Sequence, residues 1–230
     1  MRFDIFGDNP VMRGLSKLCD LLILNVLWLI CSIPLFTIGA STTAMFAVTL
    51  KMAKNEEGYI VKGFFAAFKE NFKKSTLIWL MIAFVAIIII INVQVMSTFS
   101  DMLNPIIGTI LRGIYLLMGV ILLFLTLYVF PMMARYESTI KQSLKNALLI
   151  ALARLPYTLL LALIVVVPVI VTFLTGTTIA VGILVWVLLG FAVVAWLQSK
   201  VLRRVFKLLD EQVEATSQTE EDEQQPEEPS

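Results

Sequence analysis

Small and hydroxyl-bearing residues form the patch of this sequence that comes nearest to a chemical site. Pro34 is followed by Gly39, Ser41, Thr42 and Thr43 within a strongly apolar stretch. Hydroxyl groups can hydrogen-bond backbone groups that are freed where a helix breaks, and broken helices near the membrane midplane form the binding sites of many transporters. Small residues equally allow two helices to approach closely. The patch therefore predicts either a close-packed helix break or a solute site.

A second candidate surface lies in residues 56–75, where phenylalanine and lysine recur at helical spacing. This pattern is typical of an amphipathic helix in the headgroup layer, with phenylalanines towards the acyl chains and lysines towards anionic lipid. We expect it to contact lipid or a partner protein through Phe64, Phe65, Phe68, Lys69, Asn71, Phe72 and Lys73. Residues 137–152 repeat the pattern more weakly and predict a second interfacial helix.

Residues for soluble-type catalysis are missing from the sequence. The chain has no histidine, which removes the commonest general base and metal ligand. It also contains no HExxH, GxSxG, phosphate-binding-loop or CxxC motif. The sequence therefore predicts a protein that is not an enzyme, has no catalytic residues, binds no metal or cofactor, and has no nucleic-acid partner.

The candidate residues lie within or beside long apolar segments. Of the whole chain, 59% is hydrophobic and only 15% is charged. Five segments stand out, over residues 18–38, 76–98, 106–130, 156–174 and 179–198. About 20 apolar residues suffice for a helix to cross a hydrocarbon layer of about 30 Å. The sequence predicts an all-α, polytopic transmembrane bundle of five or six spans, with cytoplasmic amphipathic interfacial helices.

Basic residues set the expected orientation of this bundle. Lysine and arginine concentrate in residues 51–74, in residues 131–154 and after the last apolar segment. Because cytoplasmic loops carry an excess of these residues, all three stretches and the C-terminus are predicted to be cytoplasmic. The acidic residues 210–230 contain no basic or aromatic residue. They predict a disordered cytoplasmic tail after a single transmembrane domain over residues 1–209.

The number of spans depends on residues 18–50, which are slightly short of two full passages as helix. One solution is a single span with the N-terminus outside. The other is a hairpin that bends between Pro34 and Gly39, with a short return limb, residues 40–48, inside the bundle. The distribution of basic residues favours the hairpin, and both solutions stay open.

Residues 15–85 also carry a recognisable pattern: Trp28, Pro34, the run IGASTTA and the run FxxFKxNFK, in that order. With this pattern the chain resembles the YesL-like integral membrane proteins of Gram-positive bacteria. The resemblance implies a multi-pass protein of the plasma membrane without an established biochemical activity. It also implies an association with carbohydrate ABC transporter loci, and hence a transporter permease or a sensor protein as partner.

Two functional hypotheses follow. The first is a non-enzymatic accessory or regulatory partner of a carbohydrate uptake system, which would dock through the phenylalanine- and lysine-rich surface at a face rich in anionic lipid. The second is a small transporter or facilitator for a neutral solute, with the helix break around Gly39–Thr43 as its site. Buried charge for ion coupling is almost absent from the apolar segments, so the second hypothesis requires an uncoupled solute.

Overall fold

The computed structural model describes residues 10–56, 58–98 and 105–224, in which all regular structure is helical. The helices are α1 (Pro10–Ser32), α2 (Ile38–Ala53), α3 (Ile60–Thr98), α4 (Pro105–Arg135), α5 (Ile140–Ala153), α6 (Leu155–Thr172), α7 (Gly176–Val185) and α8 (Phe191–Gln224). A 3-10 turn, Leu35–Thr37, joins α1 to α2. A π-helical turn, Trp186–Gly190, joins α7 to α8.

Six helices in the described ranges are long and apolar enough to cross a membrane, counting α7, the π-helical turn and the first part of α8 as one. The predicted all-α multi-pass bundle is therefore confirmed. The helix that the five apolar segments did not separate is α2. It returns from the bend after Pro34, as the hairpin solution predicts.

Helix α2 lies inside the bundle, whereas the other spans face outwards along most of their length. The apolar window that contains α2 is 67% buried, compared with 11–22% for the other five windows. Glycine, alanine, serine and threonine dominate its first half and let α3, α4 and α8 pack closely around it. The fully buried side chains of Phe64, Tyr128 and Phe206 belong to these neighbours.

We call one end of the molecule the basic end, because cationic residues of several helices meet there. Lys17 of α1 donates a hydrogen bond to Asn55, which follows α2. Arg203 of α8 donates to the carbonyl oxygen of Ala53, the last residue of α2. Lys74 of α3 reaches Ser138, in the loop between α4 and α5. The three basic stretches of the sequence thus lie at the same end of the bundle.

Residues 60–75 form the beginning of α3 and not a separate interfacial helix, which corrects one sequence-based expectation. The helix runs without interruption for 39 residues, or about 58 Å at 1.5 Å per residue. Residues 60–98 contain no proline that would end the helix, and Ile60, Phe64 and Ala67 are buried in the protein. The expected helix over residues 137–152 is separate: α5 begins after Thr139, which forms a capping box with Gln142.

Helix α8 continues to Gln224, so that residues 210–224 are helical where their composition predicts disorder. Glutamate, glutamine and alanine are good helix formers, and extending an existing helix requires no new nucleation. The rest of the predicted tail, residues 225–230, lies outside the described residues.

Candidate functional site

The predicted helix break occurs at Pro34 and is satisfied locally. Pro34 has an extended conformation, with φ −74° and ψ 106°, and the 3-10 turn follows it. The hydroxyl of Thr37 donates to the carbonyl oxygens of Cys31, at 2.5 Å, and Pro34, at 2.6 Å. The indole of Trp79 donates to the carbonyl oxygen of Leu35, at 2.9 Å. Carbonyl groups at and beside the break thus have partners inside the protein.

Gly39 is the point of closest approach between α2 and α3. A Cβ atom placed on it would lie 2.4 Å from the backbone oxygen of Ser75 and 2.5 Å from Cβ of Trp79. Real Cβ atoms do not come so close to other heavy atoms, so only glycine fits here. The contact also leaves no space for a solute between the two helices at Gly39.

The hydroxyl-bearing residues beside Gly39 point to different neighbours. Thr43 shares a hydrogen bond of 2.9 Å with Ser75 of α3 and also donates to the carbonyl oxygen of Gly39. Thr42 accepts a hydrogen bond from the indole of Trp28 in α1, at 3.1 Å. The hydroxyl of Ser41 is buried and has no hydrogen-bond partner among the described residues. The geometry connects α2 to α1 and α3 and does not gather these groups at one solute site.

The phenylalanines of the second candidate surface divide between the protein and its surroundings. Phe64 is completely buried, and Phe68 and Phe72 are half-buried. These three rings form a row along one side of α3, with centroids 6.1 Å and then 5.4 Å apart. Phe65 is 44% exposed on another side. The expectation that the phenylalanines as a group face lipid is therefore wrong for Phe64, because its ring completes the core beside α2.

The polar residues of this surface remain accessible. Lys69 and Lys73 are exposed. The side chain of Asn71 donates to the backbone oxygen of Ala67, one turn earlier in the same helix. Val61, Lys62, Phe65, Lys69 and Lys73 occupy one side of the first part of α3, within about 120° at 3.6 residues per turn. We call these five residues the docking face.

An open cavity of about 500 Å³ lies at the basic end, between α2, α3 and the end of α4 with the two residues that follow it. Small side chains make room for it, among them Ala47, Gly63, Ala66, Ala67 and Ala134. Charged residues from all three walls line it: Lys51, Lys62, Glu70, Arg135 and Glu137. Sequence periodicity could not reveal this cavity, because its walls come from separate parts of the chain.

Arg135 also belongs to a cluster that joins the end of α4 to α8. Its guanidinium group forms an ion pair of 2.5 Å with Asp210, which accepts a second hydrogen bond from the hydroxyl of Tyr136 at 2.8 Å. Arg135 lies over the ring of Phe206, 5.1 Å from its centroid. Burial, together with the hydrogen bond to Asp210, raises the pKa of Tyr136 to about 12. The phenol therefore stays a hydrogen-bond donor at neutral pH and helps to hold α8 in place.

Asn25 supports the π-helical turn from across the bundle. Its side-chain nitrogen donates to the carbonyl oxygens of Trp186, at 3.1 Å, and Val187, at 2.7 Å. Its side-chain oxygen accepts from the backbone nitrogen of Ala192, at 3.0 Å. Asn25, which is fully buried, thus connects α1 to the backbone of the π-helical turn and of the first turn of α8. No local sequence pattern indicates these partners, because they are more than 160 residues further along the chain.

Within the residues that the structure describes, no group of three or more His, Cys, Asp or Glu side chains could hold a metal ion. Among the polar residues of the predicted sites, Thr42, Thr43 and Asn71 make hydrogen bonds between or within helices, whereas Ser41 is buried without a partner. The accessible charged side chains lie at the basic end, around the cavity and on the docking face.

Comparison with known proteins agrees with the pattern in residues 15–85. Residues 21–93 match the family described as "Protein of unknown function, DUF624". The uncharacterised protein YesL of Bacillus subtilis (strain 168) is 27% identical over 162 residues, covering 67% of this chain and 74% of YesL. The uncharacterised protein YteU of the same strain is 29% identical over 157 residues, covering 66% of this chain and 68% of YteU.

No solved structure matches the chain. The matched family region begins in α1 and ends near the end of α3, so it includes the hairpin at Pro34, the contact at Gly39 and the docking face. The family match over residues 21–93 and the two Bacillus relatives agree in making the chain similar to the YesL-like, DUF624 proteins.

Proposed function

We propose that this protein is a non-enzymatic accessory protein of the plasma membrane that binds the permease of a carbohydrate ABC transporter through its docking face. The observation that carries the proposal is the exposure of this face at the basic end. Val61 is 48% and Phe65 44% exposed, and Lys62, Lys69 and Lys73 are exposed beside them. A partner with acidic groups around an apolar contact would fit such a surface.

The length of α3 supports the same proposal. A helix of 39 residues is about 58 Å long, whereas a hydrocarbon layer of about 30 Å needs only about 20 residues. The apolar run from Leu77 to Val95 accounts for that crossing. The docking face precedes this run and therefore extends towards the headgroups and the water beyond them, where a partner's loops and anionic lipid are both within reach.

The orientation in this proposal follows from the basic end. By the positive-inside rule this end is cytoplasmic, and so is the beginning of α8's extension after Leu209. The docking face would then meet the permease on the cytoplasmic side of a Gram-positive plasma membrane. A catalytic role is not part of the proposal: near the helix break the hydroxyls of Thr42 and Thr43 are engaged in helix contacts.

Crosslinking in intact cells, followed by affinity recovery of the tagged protein, tests the proposal. We expect the permease to be recovered with the native chain and lost from a variant that combines Lys62→Gln, Lys69→Gln and Lys73→Gln. The matched control changes Lys141 and Lys145 of α5, which are also exposed, to glutamine. Equal recovery of the permease with both variants, or recovery of the protein without a transporter component, would refute the docking role.

A further inference from the structure

The cavity at the basic end contains charged side chains of both signs that are free to bind a ligand. Lys51, Lys62, Glu70 and Glu137 line it, and all four are exposed. In the described part of the chain none of the four forms an ion pair. The fifth charged residue, Arg135, is bound to Asp210. The groups that remain accessible are therefore two ammonium groups and two carboxylates.

The helix pairings indicate that the two ammonium groups lie towards one end of the cavity and the two carboxylates towards the other. Helices α2 and α3 are antiparallel, and a Cβ on Gly63 would lie 3.8 Å from the side chain of Val48. One turn further along α2, Lys51 is consequently level with the first turn of α3, which contains Lys62. This pairing places the two ammonium groups together at the water-facing end.

The carboxylates are found nearer to the membrane. Helix α4 runs back along α3, with the sulfur of Met133 3.9 Å from the hydroxyl of Ser75. Glu137, four residues after Met133, is thus near the level of Glu70 on α3. Glu70 follows Lys62 by eight residues, or about 12 Å of helix. The cavity is dipolar along its length.

We propose that this cavity binds a small water-soluble zwitterion, such as a short peptide. The ammonium group of the ligand lies between Glu70 and Glu137, and its carboxylate lies between Lys51 and Lys62. Both contacts are hydrogen bonds between opposite charges, which are among the stronger polar contacts in proteins. An extended chain of three residues is about 10 Å long, which suits the separation of the two ends. The inference does not depend on the proposed accessory role.

The direction of the dipole distinguishes a soluble ligand from a lipid. In a phosphoethanolamine headgroup the phosphate is attached on the side of the acyl chains, and the ammonium group is at the free end. Such a lipid would bring its phosphate to the membrane side of the cavity, where Glu70 and Glu137 repel it. A ligand that enters from water can place its ammonium group there instead.

Isothermal titration calorimetry of the full-length protein in nanodiscs of a neutral lipid tests the proposal, with triglycine as the probe. We expect triglycine to bind, and N-acetyl-triglycine and triglycine amide, each with one charge removed, to bind at least about tenfold more weakly. Absence of triglycine binding, or equal binding of the blocked peptides, would refute a zwitterion site. Loss of triglycine binding in nanodiscs that contain phosphatidylethanolamine would show that a lipid headgroup occupies the cavity and would refute the soluble ligand.

Variants locate the binding to the cavity. Lys51→Gln and Glu137→Gln should each weaken triglycine binding about tenfold, whereas Lys54→Gln, at an exposed position that does not line the cavity, should leave it unchanged. Gly63→Phe should abolish binding by filling the space. Its control is Gly113→Phe, since a Cβ on Gly113 meets nothing within 4 Å. Thermal unfolding shows whether each variant is folded; a folded Gly63→Phe that binds triglycine normally would contradict the assignment.

Discussion

Gly39 shows how one missing side chain determines the position of a helix. Because it has no Cβ, the backbone of α2 can approach Ser75 and Trp79 of α3. The approach then brings Thr43 within hydrogen-bonding distance of Ser75, and both groups are fully buried. In an apolar environment, where the helices gain little from burying apolar surface, such close contacts and hydrogen bonds are the main attraction between them.

We expect Gly39→Leu to destabilise the folded protein by about 1–3 kcal/mol or more, because a larger side chain must push α3 away. The matched substitution Gly113→Leu introduces the same side chain at a position with open space and should change stability by less than about 0.5 kcal/mol. Thermal unfolding of both variants in detergent measures the difference. Equal melting temperatures would show that the close contact at Gly39 contributes nothing.

Among the elements, α3 is exposed to two environments along one continuous helix. Its first part is packed on α2 through Ile60, Phe64 and Ala67, while its later part is mostly exposed apolar surface. The row of Phe64, Phe68 and Phe72 stabilises the first part, and the docking face begins beside the end of this row and continues around the helix. Buried and exposed side chains therefore alternate along this part of α3, and the proposed docking role can be tested at the exposed ones.

Neighbouring phenylalanines should respond differently to the same change. Phe64→Ala removes a completely buried ring and should cost about 3–5 kcal/mol, whereas Phe65→Ala removes a ring that is 44% exposed and should cost less than about 1 kcal/mol. Chemical denaturation in detergent compares the two variants. If Phe65→Ala proves as destabilising as Phe64→Ala, Phe65 is covered by protein and cannot belong to a docking face.

The sequence could predict features that depend on local pattern, and not those that depend on distant pairing. The lengths of the apolar runs identify the spans, and the bend after Pro34 predicts a return limb, which corresponds to α2 in the structure. Periodicity shows that residues 60–75 are helical, but not that they continue into α3, since lysines at a boundary are compatible with either arrangement. The ion pair between Arg135 and Asp210 joins residues 75 positions apart, and no local pattern encodes it.

On the scale of the whole molecule, the six apolar helices of the described residues place the beginning of α1 and the extension of α8 on one side. Lys17 near the start of α1 contacts Asn55 at the basic end. Arg203 in α8 reaches the end of α2 there as well. The hairpin solution and the six apolar helices are thus consistent with each other.

Cysteine labelling tests this arrangement. In a background without Cys19 and Cys31, we expect Lys17→Cys and Lys207→Cys to be protected from a membrane-impermeant maleimide in intact cells and labelled in inside-out vesicles. We expect this result because the positive-inside rule predicts that the basic end is cytoplasmic. Labelling of the two positions from opposite sides would contradict six spans, and labelling of both from outside would contradict the orientation.

The hydrogen bonds of Asn25 have a consequence for how the protein is made. Asn25 is in α1, and its backbone partners, Trp186, Val187 and Ala192, are synthesised more than 160 residues later. During translation α1 is therefore in the bilayer before the native hydrogen-bond partners of its Asn25 amide have been made. An unsatisfied amide in the bilayer costs several kcal/mol, unless water, lipid headgroups or the insertion machinery hydrogen-bond to it. Insertion of the π-helical turn and α8 supplies these partners. A chain truncated before residue 186 therefore keeps a buried amide in α1 without its native hydrogen bonds.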